Sequence, residues 1–373
     1  MIVHYLLFFV TVVFSKVVEK TGKPVMLPDT EEEENRAAFI AAILAYLPTI
    51  ILMGLRDSMG DTDGYIDTFN ANRAESVFES LSDRNPGYSA VMNFFKLYIS
   101  ENANYFLLFI TFLSVLLMLK TYCKYSPMLA LSSYVFFGST EVSYLYNGAR
   151  QFLALAIMFY AFKYIEQKKL IKYAICALLA FSIHQTVIIV IPAYFLASGK
   201  FLNYKIILMG FATIAATAFS SLFIDYLNEL FISESVYSQY YDMLIDTEGI
   251  NIFRVLVAAI PFVLCMIYKK RIDELDDNIL NCSANLSVLA LAVSVFAAAS
   301  GGQLLGRLAE YYLIYNTLTY PLLFKRVVSK NARLALQVCL MIGYFFFFFY
   351  QFTVMWGQGY QSNTLGIRVG VGD

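Results

Sequence analysis

Four short stretches of the sequence group charged and hydrogen-bonding side chains at spacings that suit chemistry. The first, GLRDSMGDTDGYIDTF, combines turn-forming glycines with Arg56, Asp57, Asp61, Asp63 and Asp67. Glycines let the backbone fold tightly around a polar ligand. The D-T-D aspartates fit three roles, namely oxygen ligands for a divalent metal, a general base, or an Asx turn that caps the next helix. A lone D-x-D is weak evidence for a metal, so we expect none here.

The second stretch, YLYNGARQFLALAI, begins an apolar helix with an arginine and two amides. Asn147, Arg150 and Gln151 lie at i, i+3 and i+4, so they share one helix face. A helix start of this kind offers positive charge and main-chain N–H groups to a phosphate. An arginine that merely reaches toward the interface is the structural alternative, and the two amides favour ligand binding over it.

The third and fourth stretches contain a histidine and an arginine–glutamate pair. In AFSIHQT, His184 is a candidate general base, because histidine is the side chain suited to proton transfer near neutral pH, with a structural hydrogen-bonding role as an equal alternative. In GGQLLGRLAEYYLIYN, the i, i+3, i+4 spacing recurs at Arg307, Glu310 and Tyr311. We predict that Arg307 and Glu310 form an ion pair, which makes the arginine tolerable in lipid and leaves donors for a ligand.

Apolar helices are the elements that must position these residues. Of the 373 residues, 59% are hydrophobic and 15% are charged, and the mean hydropathy is +0.61. No soluble domain of this length tolerates such a surface, so the sequence predicts an all-α, polytopic integral membrane protein with no implied nucleic-acid partner. Stretches long enough to span a bilayer lie near 1–18, 36–55, 104–120, 127–146, 150–165, 204–224, 252–268, 283–300, 305–325 and 333–352.

Residues 170–198 form either one kinked span or two short spans hinged near His184 and Gln185. Two spans make about twelve in total and place every lysine-rich connection on the cytoplasmic face, as the positive-inside rule requires. A single span would move residues 269–271 and 325–333 outward, so we predict two. The cytoplasmic face then collects 19 of the 27 basic residues, namely Lys16, Lys20, Lys23, Arg36, Lys120, Lys124, Lys163, Lys168, Lys169, Lys172, Lys200, Lys205, Lys269, Lys270, Arg271, Lys325, Arg326, Lys330 and Arg333.

Arginine dominates the basic residues that this topology leaves outside. Seven of the remaining eight are arginines, in the set Arg56, Arg73, Arg84, Lys96, Arg150, Arg254, Arg307 and Arg368. A guanidinium binds phosphate through two parallel hydrogen bonds, so arginines on the side that topology disfavours suggest an anionic ligand. Scattered arginines that reach from helix ends toward the interface are the alternative.

The chain is predicted to form a single membrane domain, 1–373, with two long outer loops near 56–103 and 225–251. The first loop contains NPGYSAVMNFFKLYIS, whose apolar positions fit a short amphipathic helix along the interface. The second is acidic and rich in tyrosine, which suits either a sugar-polymer surface or a simply solvated loop.

These motifs, in this order, resemble the EpsG family of Wzy-like exopolysaccharide polymerases. The matching pieces are the RD before GDTD and Tyr65, the helix start NGARQFLALA, the LLAFSIH before the hinge, and the RLAEYY before a late span. The resemblance covers most of the chain and is most specific at N-x-x-R-Q. The alanine before Arg150 replaces the larger apolar residue expected there, which leaves the charged contacts intact.

The resemblance implies a multi-pass protein of the bacterial cytoplasmic (inner) membrane, similar to C-type membrane glycosyltransferases, whose active site faces outward. It implies transfer of a growing glycan from undecaprenyl diphosphate onto a lipid-diphosphate-linked repeat unit, with no cofactor. Arg150 would then be the principal diphosphate clamp, His184 the preferred base, and Asp61 or Asp63 the alternative base. The other substrate-binding residues would be Arg56, Asp57, Asn147, Gln151, Arg254, Arg307, Glu310 and Tyr311.

The expected partners are lipid-linked oligosaccharides, membrane lipids, and a chain-length regulator and flippase of the same pathway. The alternative function is a transporter or flippase that binds lipid-linked or anionic substrates without chemistry. Pseudo-symmetric halves with broken helices are typical of such proteins, and the sequence reveals no internal repeat.

Overall fold

The chain is mostly helical in its computed structural model, which describes residues 2–21, 36–79, 83–219, 250–300, 303–357 and 359–370. Large apolar side chains such as Ile171, Phe211 and Leu44 are exposed on helix surfaces, as contact with lipid requires. The chain is a polytopic membrane protein, as predicted. Within the described residues, the helices long and apolar enough to cross a membrane are Ile2–Lys20, Ala37–Gly54, Ala103–Tyr125, Asn278–Ala299 and Lys330–Trp356, with the pair Ile252–Ile267 and Lys269–Leu275, bent by 67°, as a sixth candidate.

The chain divides into two compact units, each described by itself. Unit 1 comprises Met1–Ile191 and Lys330–Asp373. Its first part contains α1 (Ile2–Thr21), α2 (Arg36–Gly54), α3 (Thr62–Ala71), α4 (Pro86–Tyr98), α5 (Ala103–Tyr125), α6 (Leu129–Gly138), a 3-10 helix (Glu141–Leu145), α7 (Ala149–Tyr160), α8 (Phe162–Glu166), α9 (Leu170–Ile183) and a 3-10 helix (Gln185–Ile189).

Unit 2 comprises Pro192–Ser329. It contains α10 (Ala193–Leu196), α11 (Tyr204–Ala218), α12 (Ile252–Ile267), α13 (Lys269–Leu275), α14 (Asn278–Ala299), α15 (Gln303–Leu313) and α16 (Asn316–Arg326). Most of the predicted acidic loop, 225–251, lies outside the described residues. The chain then returns to unit 1 with α17 (Lys330–Phe349), a π-helix (Tyr350–Trp356), and strands β1 (Tyr360–Ser362) and β2 (Ile367–Val369).

Hydroxyl groups join the helices of unit 1 inside an apolar core. The Tyr46 hydroxyl on α2 donates to Ser133 Oγ on α6 at 2.8 Å, and Ser133 Oγ lies 2.9 Å from Ser15 Oγ on α1. Small hydroxyl residues let helices approach closely and exchange hydrogen bonds where lipid offers none.

Several apolar stretches that read as single spans are broken. In 127–146, α6 ends at Gly138 because Thr140 adopts a φ of 73°, and the 3-10 helix follows. A ten-residue helix is about 15 Å long, half the thickness of the hydrocarbon core. Likewise, 305–325 contains α15 and α16 rather than one helix. Hydropathy reports composition and not backbone continuity, so the twelve-span count stays a prediction.

Two local predictions are confirmed. The helix in 170–198 breaks at His184, which has extended φ and ψ of −153° and 115°. The amphipathic segment of the first loop is a helix, α4, which begins with Pro86 and buries Tyr88, Met92 and Phe95.

Candidate functional site

The loop after α2 holds Arg56 in a fully buried position. Its Nε donates to Thr62 Oγ1 at 2.8 Å, and its Nη1 donates to the carbonyl of Met53. Its Nη2 is buried and has no hydrogen-bond partner. Two of the three guanidinium nitrogens therefore fix the side chain, while the third keeps its donors for a ligand.

The D-T-D motif divides its residues between two roles. Thr62 is buried and is the residue that receives Arg56, whereas Asp61 and Asp63 are exposed at the start of α3. Asp61 occupies the cap position without a side-chain cap hydrogen bond. Among the residues that the structure describes, no group of three or more metal-ligating side chains lies together.

The first two sequence motifs meet at Gly60. Gly60 has a φ of 52°, and a Cβ added there would lie 2.8 Å from Asn147 Oδ1. Asn147 and Gly148 immediately precede α7, and Gly148 has a φ of 146°, which only glycine adopts without strain. The aspartate loop therefore packs directly against the start of the helix that carries Arg150.

Two tyrosine rings surround Arg150. Its guanidinium carbon lies 5.6 Å from the centre of the Tyr65 ring, on α3, and 5.4 Å from that of Tyr88, on α4. Its main-chain N–H donates to the Tyr65 hydroxyl at 3.4 Å. Cation–π contacts of this kind stabilise a charge away from bulk water. The Arg150 Nε is buried and has no partner, so it too is a donor available to a ligand.

Buried tyrosines also interact electrostatically with the two arginines. Tyr88 interacts electrostatically with both Arg150 and Arg56, and burial raises the pKa of Tyr88, which keeps its hydroxyl protonated. Burial lowers the pKa of Arg56 to about 10, so this side chain remains a cation at neutral pH. Tyr146 is buried beside Arg56, and its hydroxyl has no partner. We call Arg56, Arg150, Tyr65, Tyr88 and Tyr146 the arginine–tyrosine cluster.

Two further residues of the predicted site in unit 1 are engaged by the fold. Asp57 Oδ1 accepts from Asn104 Nδ2 at 2.9 Å, and its Oδ2 accepts from the main-chain N–H of Asn363. Both Asp57 oxygens therefore bind protein groups. Gln151 is buried in the first turn of α7.

His184 lies at a junction that contacts the start of α4. Its Nδ1 lies 2.6 Å from Thr186 Oγ1. The neighbouring Gln185 donates through Nε2 to the main-chain carbonyl of Arg84 at 2.8 Å. A Cβ on Gly87 would meet Ser182 Oγ at 2.1 Å, so α4 and the end of α9 are in close contact. The hinge is thereby attached to the helix that carries Tyr88.

The remaining predicted residues lie in unit 2. Glu310, which is buried on α15, lies 3.6 Å from Arg254 on α12. This ion pair joins two helices, and the i, i+3 pairing of Glu310 with Arg307 stays a prediction. Tyr311 is buried, and Arg307 is half-buried.

Sequence reasoning missed Thr62, Tyr88 and Tyr146 as members of the site. Tyr88 follows Asn-Pro-Gly at a helix start, which is a structural signal and not a chemical one. Nothing local indicated that its ring would contact an arginine 62 positions later.

One protein family, described as the EpsG family, has a model that matches residues 39–363 of the chain. No curated protein and no solved structure matches the chain.

Proposed function

Because the chain belongs to the EpsG family, a family of exopolysaccharide and Wzy-like polymerases, we propose that it polymerises a lipid-linked glycan. The chain is a polysaccharide-polymerase-like membrane protein with a glycosyltransferase-like activity. We further propose the substrates of this reaction. A growing glycan leaves undecaprenyl diphosphate and joins a lipid-diphosphate-linked repeat unit at the outer face of the bacterial cytoplasmic membrane.

The observation that carries this proposal is the pair of arginine donors without partners in the arginine–tyrosine cluster. Arg56 Nη2 and Arg150 Nε are both buried, and both belong to guanidinium groups held by neighbouring side chains. Preorganised donors in a site of low dielectric stabilise a developing anion far better than water does. A diphosphate leaving group develops such charge, and the N-terminus of α7 adds its dipole.

The bond changes of the proposed reaction define what the site must supply. The acceptor hydroxyl oxygen bonds to the anomeric carbon, and the bond from that carbon to the diphosphate oxygen breaks. The diphosphate keeps the electron pair, and the hydroxyl proton passes to a base. We assign the base to His184, whose Nδ1 contact with Thr186 orients the ring, with Asp61 or Asp63 as the alternative.

Unit 2, taken by itself, is also proposed to bind a lipid-linked substrate. Arg254 forms an ion pair with Glu310, and the Arg254 side chain is partly exposed. We assign Arg254, Arg307 and Tyr311 to this second binding region, with a chain-length regulator and a flippase as partners of the whole protein.

The test of the proposed function is polymerisation by the purified protein. A synthetic undecaprenyl-diphosphate repeat unit should give a ladder of longer glycans on a gel, and each added unit should release one undecaprenyl diphosphate. The ladder should persist in EDTA. Loss of the ladder in EDTA, restored by magnesium or manganese, would instead assign Asp61 and Asp63 to a metal site.

A transporter or flippase is the second candidate, because the apolar segment 127–146 is broken after Gly138, as the discontinuous helices of transporters are. Sealed vesicles distinguish the two functions. Movement of the lipid-linked unit across the bilayer without any longer glycan would favour transport.

The aspartate loop and α7 are proposed to work as one site, which Gly60→Ala tests. The new Cβ would displace Asn147, and we expect polymerisation to fall about tenfold, an estimate for misplacing a positioning group. Gly357→Ala is the matched control, because Gly357 has a φ of 55° and no atom within 4 Å of its added Cβ. Both variants carry similar backbone strain, so equal turnover in the two would contradict the role of the Gly60–Asn147 contact.

The topology that we propose has about twelve spans, with the outer ends of 170–185 and 185–198 meeting at His184, in the manner of C-type membrane glycosyltransferases. Single cysteines are placed at positions 168, 184 and 200 in a chain without its five native cysteines, and an impermeant thiol reagent is added from outside. The cysteines at positions 168 and 200 should be protected from the reagent. Only the cysteine at position 184 should react from outside. External labelling at position 200 would exclude the twelve-span topology.

A further inference from the structure

The C-terminal segment of unit 1 forms a short antiparallel hairpin. Strands β1 and β2 pair with Tyr360 opposite Val369 and Ser362 opposite Ile367. Gly366, in the turn, has a φ of 65°. An isolated two-stranded hairpin is marginally stable in water, so its stability depends on what it packs against.

The hairpin is attached to the segment that ends in Arg56 and Asp57. The Tyr360 hydroxyl donates to the carbonyl of Leu52 at 2.8 Å, and the Ser362 hydroxyl donates to the carbonyl of Leu55. The main-chain N–H of Asp57 donates to the carbonyl of Gln361 at 2.8 Å. Tyr360 and Ser362 are both buried. These three bonds all reach the same six-residue segment, 52–57.

The same bonds satisfy the end of α2. The last carbonyls of a helix have no partner within the helix and carry its negative dipole end. Here the Leu52 carbonyl accepts from Tyr360, and the Met53 carbonyl accepts from Arg56. The hairpin and the guanidinium therefore cap one helix end together, because each of them satisfies a different carbonyl of the last turn.

We infer that the C-terminal hairpin is a positioning element for Arg56. Tyr360, Ser362 and Asp57 hold the end of α2 and its loop so that only Nη2 of the guanidinium is left for a ligand. Asp57 takes part through both carboxylate oxygens, one toward Asn104 and the other toward Asn363. The consequence for catalysis rests on the proposed function, but the positioning itself is measurable without it.

The experiment compares the wild-type chain with the double variant Tyr360→Phe, Ser362→Ala. Phenylglyoxal labelling of Arg56, located by mass spectrometry, reports release of the guanidinium, and the exposed Arg73 is the internal reference. Trp356, the only tryptophan, packs on Phe352 just before the hairpin, so quenching of its fluorescence by acrylamide reports hairpin release. Gln361→Ala is the matched control, because that side chain binds Asn363 within the hairpin at 3.1 Å.

We expect Arg56 labelling in the double variant to rise on the order of tenfold relative to Arg73, as the loss of two buried hydrogen bonds allows. Trp356 quenching should rise with it, and Gln361→Ala should match the wild type. If the double variant does not fold, Ser362→Ala alone gives the same comparison. Unchanged Arg56 labelling overturns the inference, whether or not Trp356 quenching increases.

Turnover separates this inference from the proposed function. Raised Arg56 labelling with a lower kcat supports both the positioning role and the function of Arg56. Raised labelling with normal polymerisation keeps the positioning role and removes Arg56 from the proposed mechanism. A wild-type protein that makes no glycan refutes the proposed function and leaves the labelling result valid.

Discussion

Arg150→Ala is expected to lower polymerisation by about two to three decades, which corresponds to roughly 3 to 4 kcal/mol of lost transition-state stabilisation. The reason is that Arg150 is the arginine at the start of α7 with a buried Nε free of protein partners. Arg150→Lys keeps the charge but loses the planar fork and should retain only a small fraction of activity. Turnover of a lipid-linked repeat unit by each purified variant is the measurement.

Two controls make the Arg150 result specific. Arg73→Ala removes an exposed arginine of the same loop region and should leave turnover near the wild-type value. Tyr88→Phe keeps the ring that contacts the guanidinium and removes only the hydroxyl. Its turnover should therefore lie between those of Arg73→Ala and Arg150→Ala. Near-normal polymerisation by well-folded Arg150→Ala would refute the clamp, and a variant that does not elute as a single species would make Arg150 a structural residue.

The sequence predicts the local features of this molecule well. The break at His184 and the helix of α4 both follow from the residues within a few positions of them, because backbone breaks and amphipathic faces are local properties. Residue type and spacing alone mark the first two motifs as candidate sites. They give no sign that Gly60 of the first motif packs on Asn147 of the second.

Long-range contacts are what the sequence does not reveal. Asp57 reads as a ligand-binding carboxylate, yet its partners include Asn363, about 300 positions away. Glu310 also has a distant partner, because it lies 3.6 Å from Arg254 on another helix, and its pairing with Arg307 stays a prediction. The packing of the helices creates such distant contacts, so the spacing of residues in the sequence does not reveal them.

Hydropathy does not predict where a helix is interrupted, because it measures only how apolar a segment is. The segments 127–146 and 305–325 are apolar enough to span a bilayer, but Thr140 and the residues between α15 and α16 interrupt them. Such breaks are tolerated at membrane depth where neighbouring helices satisfy the freed backbone groups. A break before α7 also places the helix N-terminus and Arg150 beside the Gly60 loop, so the interruption contributes to the site.

Arg56→Lys is expected to reduce both stability and polymerisation, and the two effects have different origins. A lysine ammonium lacks the planar fork through which Nε and Nη1 bind Thr62 and the Met53 carbonyl, so we expect the loss of at least one buried charge-assisted bond, about 1.5 to 3 kcal/mol. Loss of the free Nη2 should lower turnover further, by about two decades, as removal of one anion-stabilising donor does. Thermal unfolding and turnover are measured on the same preparation.

Asn104→Ala is the matched control for this variant. Asn104 donates to the Arg56 carbonyl and to Asp57, so its removal weakens the same loop but leaves the guanidinium in place. We expect Asn104→Ala to lose stability comparably and to retain at least about a tenth of wild-type turnover, because Nη2 is still present. If the two variants have equal stability and equal turnover, Arg56 acts only as the cap of α2, and the anion site reduces to Arg150 and the N-terminus of α7.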